Sequence, residues 1–178
     1  GVASKIGNST EGIIDIAIPT DPVAYAIDMS NNLHIFNPTN IAAGTTVKAI
    51  TGIQAGENIL GIDFRPANGQ LFAVGSSNKL YIINLSSGAA TAVGATGLVG
   101  VNLGTEVGFD FNPTVDRIRL VSNLGINLRL NPNDGTIAAT DLVLNPGTPT
   151  VSSAAYNNNF AGATVTQLFV IDHSTDKM

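Results

Sequence analysis

Gly61-Ile62-Asp63-Phe64-Arg65-Pro66 returns 47 residues later as Gly108-Phe109-Asp110-Phe111-Asn112-Pro113. The same step carries Leu33, Ile35 and Asn37 onto Leu80, Ile82 and Asn84, and Pro19 onto Pro66 and Pro113. A period of roughly 40–50 residues marks a repeat architecture, a solenoid or a propeller. The interior of each period decides between them.

Unit 2 opens with Ile62-Asp63-Phe64-Arg65, apolar and polar in alternation, and turns at Pro66-Ala67-Asn68-Gly69. Gln70–Val74 reads as a second strand, Lys79–Ile83 as a third and Ala90–Val93 as a fourth. Gly, Asn and Ser clusters separate them, as in an antiparallel meander. Unit 3 repeats the pattern with Phe109–Asn112, Arg117–Val121 and Asn127–Leu130, and closes on the hairpin pair Asp134-Gly135. Unit 1 reads as Ile14–Ile18, Val23–Ile27, Leu33–Phe36 and Thr46–Ile50. Leu168–Asp172 matches Ala24–Asp28 at a distance of 144, so a fourth unit carries about three more residues than three steps of 47.

The expectation is an all-β, β-propeller-like fold of four-stranded antiparallel meander blades, with three full units and a partial fourth. The units run approximately over 12–58, 59–105, 106–152 and 153–178, within one domain spanning 1–178. Residues 1–11, through Val2–Ile6, are the candidate closing strand. No window carries sustained helical periodicity with caps. Stacked blades bury both faces of each strand, which suits a chain with 12% charged residues and a mean hydropathy of +0.25.

Composition removes several function classes. A net charge of −5 and a pI near 4.7 disfavour nucleic acid and anionic membrane surfaces, both of which need a basic patch. No apolar run approaches the ~20 residues of a membrane-spanning helix. The absence of Cys excludes disulfides, thiolate nucleophiles and Cys-ligated metals. There is no nucleophile-elbow motif, no Ser-His-Asp grouping and no phosphate-binding loop. His34 and His173 lie far apart in sequence, and no cluster offers the three or four ligands of a zinc site. No metal and no cofactor is expected.

The repeated G-[IF]-D-F-[RN]-P block, the run Val121–Pro132 and the segment from Ala154 to Thr164 resemble a bacterial family known as domain of unknown function 4394. The similarity covers most of residues 24–178. Members are typically exported or surface-associated and propeller-like in sequence, without an assigned activity. The resemblance therefore implies an extracellular or cell-surface protein and transfers no functional residue. Members usually continue past the position of Met178 with one or two further units. This leads to the expectation that the unfinished fourth unit finds a partner strand, from residues 1–11 or from another chain.

Five residues stand out as candidate ligand contacts: Asp63, Arg65, Asp110, Arg119 and Arg129. Asp63 and Asp110 share one place in two units, where strand one of a blade lines the axial channel. They could form a cation site or a catalytic pair. A residue repeated in register more often does one architectural job in every unit, such as bonding a neighbouring turn, and that reading is preferred. Arg119 and Arg129 replace Phe72 and Ile82, at core-like positions. A regular hairpin would line up Asp110, Arg119 and Arg129. Their guanidinium groups could grip a small anion or a sugar acid. The preferred reading is an ion network between blades with Asp63 or Asp116. The leading function is a non-catalytic exported bacterial scaffold or binding protein, self-assembling into a surface structure or filament through an open strand edge. The alternative is a ligand-binding or enzymatic propeller using the channel mouth, and a carbohydrate-binding module ranks below it.

Overall fold

The computed structural model describes residues 22–145, 147–175, 177 and 178. The expected first strand of unit 1, Ile14–Ile18, and the closing strand at 1–11 lie outside the described residues. The rest is all-β and antiparallel, with a single 3₁₀ turn at Ile41–Ala43.

Among the described residues thirteen strands form four sheets in chain order. Sheet 1 holds β1 (Ala24–Ile27), β2 (Asn32–Phe36) and β3 (Thr45–Ala49). Sheet 2 holds β4 (Ile59–Phe64), β5 (Leu71–Gly75), β6 (Leu80–Ile83) and β7 (Ala90–Val93). Sheet 3 holds β8 (Val107–Asn112), β9 (Arg117–Ser122), β10 (Asn127–Leu130) and β11 (Ile137–Thr140). Sheet 4 pairs β12 (Val151–Tyr156) with β13 (Leu168–Asp172). Each sheet is a simple meander. The turns use Gly, or Asn and Asp with positive φ: Gly69 and Asp116 take the same left-handed place in sheets 2 and 3, at φ +71° and +50°.

The sheets stack face to face, and the pleat of β5 shows how. Leu71 and Ala73 join Leu33, Ile50, Tyr81 and Ile83 in a core between sheets 1 and 2. Their neighbours Phe72 and Val74 point the other way, into a core with Phe109, Phe111, Ile118 and Leu120 between sheets 2 and 3. Successive side chains of a strand alternate sides, so one strand feeds two cores. All five residues of β5 are buried. Each such apolar side chain contributes roughly 1.5–3 kcal/mol. Phe72 meets Phe111 edge to face at 5.1 Å, and Tyr25 meets Phe64 across sheets 1 and 2 at 4.9 Å.

The repeated glycines set the spacing. Strand β8 lies against both β4 and β12. A Cβ on Gly61 would sit 2.8 Å from the Phe109 Cβ, and one on Gly108 would sit 2.5 Å from the Cβ and the backbone nitrogen of Ala154. Neither glycine has positive φ, so close approach is the reason for glycine here. The outer rim repeats the device: a Cβ on Gly88 would strike the Ala49 carbonyl, and one on Gly135, 47 residues on, the Val93 carbonyl.

Gly108→Ala is therefore expected to cost on the order of 1–3 kcal/mol by overpacking. Gly125→Asn, where nothing lies within 4 Å and asparagine tolerates the left-handed backbone, is expected to be near neutral. Thermal unfolding of the two variants checks this. Equal midpoints would contradict the close-approach reading.

Candidate functional site

The register places each carboxylate of the repeated block. Asp63 pairs with Phe72, Asp110 with Arg119, and Ala155 with Phe169, so Ala155 holds the equivalent place in sheet 4. The Oδ2 atom of Asp63 accepts the backbone N–H of Phe111 at 2.7 Å. The Oδ2 atom of Asp110 accepts the backbone N–H of Tyr156 at 2.7 Å. Phe111 and Tyr156 each follow the equivalent place in the next sheet. Each carboxylate thus reaches one sheet forward. The expected partner was a neighbouring turn, and the actual one is strand backbone. The reason is that β8 and β12 are the edge strands of their sheets, with N–H groups that no ladder satisfies.

The two carboxyl groups are near enough to perturb each other. Burial pushes the Asp110 carboxyl up to about 7, and the neighbouring charge of Asp63 adds to the effect. Burial raises Asp63 as well, against the hydrogen bond from the Phe111 backbone N–H. Two such groups titrate together.

The arginines form a second cluster. Arg119 stands opposite both Asp110 and Arg129 in the ladder. Its guanidinium turns away from Asp110, and Asp141 is the acid that answers it. Nη1 of Arg119 lies 2.6 Å from Asp141 Oδ2 and 2.6 Å from Asn127 Oδ1, and Nε lies 3.2 Å from the Tyr156 hydroxyl. Arg129 forks onto the same carboxylate at 2.9 and 2.7 Å. The expected acids, Asp63 and Asp116, are engaged elsewhere. Asp116 binds Arg65 through both oxygens, with Nε of Arg65 at 2.8 Å, and Arg65 also donates to Asn133 at 3.0 Å. Arg129 is not in a core position: its side chain is 46% exposed, against 13% for Arg119. The structure therefore brings Asp63 to Asp110 and Arg119 to Arg129, and holds Arg65 apart from both pairs.

Three participants had no sequence signal. Asp141 and Asn127 lie outside the repeated block. Glu57, 5% exposed, takes Tyr81 Oη at 2.5 Å, the Gln54 N–H at 3.0 Å, and both the N–H and hydroxyl of Ser77. Burial raises its carboxyl, but those hydrogen bonds prevail and leave it lowered. A Cβ on Gly75 would lie 1.9 Å from Glu57 Oε1, so a glycine is required there.

His34 pairs with Asp28 at 2.9 Å and His173 with Glu106 at 3.0 Å. Among the described residues no group of three or more His, Asp or Glu gathers as a metal site. No helix among them is long and apolar enough to cross a membrane.

The family model described as a domain of unknown function, DUF4394, matches residues 32–178. The chain belongs to this family. The DUF4394 match contains both Gly-x-Asp blocks and the Arg119–Asp141 pair, so the two carboxylate contacts between sheets lie inside the family domain. No curated protein matches the chain.

Two predictions follow from the charges. An acid with a raised folded pKa keeps its proton in the folded chain where the unfolded chain has lost it, so stability falls as pH rises between the two values. For Asp110 this window runs from 3.8 to about 7. A loss on the order of 2–4 kcal/mol across it is expected, flattened in Asp110→Asn, as denaturant titrations at successive pH values would show. Asp141→Ala leaves the half-buried Arg119 without its anion and is expected to cost about 2–3 kcal/mol, whereas Arg129→Ala, at the exposed end, is expected to cost under about 1 kcal/mol. Equal losses in the same assay would contradict the assignment of Asp141 to Arg119.

Proposed function

We propose that this DUF4394 chain is a non-catalytic, exported bacterial scaffold or binding protein, whose stacked sheets are successive blades of a propeller and whose copies associate by strand pairing at sheet edges. The propeller reading draws support from four sheets in chain order, packed face to face, with β8 set between β4 and β12. Low charge and Ser-, Thr- and Asn-rich turns suit a surface protein.

The association reading rests on β11. Among the described residues this strand is an unpaired edge of sheet 3, its sequence is Ile-Ala-Ala-Thr, and three of its four residues are exposed. It carries no charge, no proline and no glycine. Edges in soluble proteins are commonly guarded by such residues, and an unguarded edge is a template for another strand. Strand β3, the free edge of sheet 1, is also largely exposed and carries one charge, Lys48. The channel-mouth alternative has less support, because Asp63, Asp110, Arg65 and Arg119 each already hold protein partners.

Light scattering after size-exclusion chromatography tests the association. The chain is expected to run above its monomer mass of 18.3 kDa, with a concentration dependence, and Ala138→Lys/Ala139→Lys is expected to return it to monomer. A monomer at all concentrations would remove the self-association part of the proposal.

A further inference from the structure

The repeat supplies its own control for the cleft at the end of sheet 3. In sheet 2, the turn between β5 and β6 is covered by the linker that runs on to β8. Leu98 donates its N–H to the Asn78 carbonyl at 2.7 Å, and Nδ2 of Asn78 donates to the Val101 carbonyl at 2.6 Å. Leu98 and Leu103 from that linker are 2% and 3% exposed, sealed into the core between sheets 2 and 3.

Among the described residues sheet 3 has no such cover. Its linker has ten residues, 141–150, against thirteen, 94–106, in the preceding step. Two of its apolar residues are largely exposed, Leu142 at 87% and Val143 at 61%, while Leu144 is half-buried at the cleft. Gly125 stands 47 residues after Asn78, so the side chain that clamped the linker is missing. Among the described residues, no hydrogen bond takes the Gly125 carbonyl or ties the Ser122–Gly125 turn to this linker. The result is an open cleft of about 450 Å³ between Leu124 and Gly125 on one side and Val143, Leu144, Thr148 and Thr150 on the other.

We propose that this cleft binds a neutral, leucine-bearing peptide segment of a partner protein. The sibling site shows the chemistry such a place accepts: a main-chain N–H onto the turn carbonyl and leucine side chains into the gap between sheets. Among the described residues no charged side chain lines the cleft, so an uncharged occupant fits it without stranding a charge. Leu124, 56% exposed at the rim, is the apolar contact waiting for it. The occupant proposed is a segment of another protein, since the leucines of the sealing linker, Leu98 and Leu103, are already buried in the chain's own core. This inference does not depend on edge pairing at β11, and either can fail alone.

The probe is a capped synthetic peptide of the sealing segment itself, Ala-Thr-Gly-Leu-Val-Gly-Val-Asn-Leu, titrated into the full chain and followed by amide chemical shifts. Saturable binding is expected, with shifts centred on Leu124, Gly125 and Thr148. Leu124→Asp, at an exposed position, should leave the fold intact and weaken binding about tenfold or more. Thr148→Trp, which fills the cleft, should abolish it. No saturation at roughly millimolar peptide, shifts centred elsewhere, or equal binding by a peptide with both leucines changed to aspartate would overturn the proposal.

Discussion

The account depends on one hydrogen bond made twice: a carboxylate from one sheet taking a backbone N–H from the edge strand of the next. Stacked meanders leave the first strand of each sheet with unpaired donors, and a buried unpaired donor costs about 1–3 kcal/mol. Asp63 and Asp110 satisfy the donors of Phe111 and Tyr156. The glycine two places earlier lets the strands come close enough for that reach. The Gly-x-Asp spacing is therefore one device, a gap and a hook, used between sheets 2 and 3 and again between sheets 3 and 4.

That device carries a cost in charge. Placing two hooks side by side brings two carboxyl groups together in a site sheltered from water, where both cannot ionise freely. The pair is tolerated because each carboxyl group accepts a backbone N–H from the next sheet and burial favours the protonated form. A second solution appears between sheets 3 and 4, where the Phe72 place becomes Arg119 and an apolar contact is exchanged for an ion network centred on Asp141. Removing the acid from such a network is costly because it strands the cation, which is a different statement from saying that the network adds much stability.

Much of the architecture was legible because the repeat shows itself twice in sequence, and strands, turns and buried faces all follow from period-2 patterning. The line of Asp110, Arg119 and Arg129 across the ladder could be read from hairpin spacing alone. Where the guanidinium groups turn could not. Register places Cα atoms, while the choice between Asp63, Asp116 and Asp141 depends on how linkers fold over the sheet ends. Asp141 and Glu57 sit in those linkers, where the repeat is weakest. The target of the Asp63 hook was likewise hidden, since an edge-strand N–H leaves no mark on residue identity.

The most direct test is amide hydrogen exchange at Phe111 and Tyr156. In the unaltered chain both should exchange as slowly as neighbouring ladder amides. In Asp63→Ala the protection of Phe111 should fall selectively while Tyr156 keeps its own. Unchanged protection at Phe111 in that variant would contradict the idea that the carboxylate holds the next sheet by its backbone.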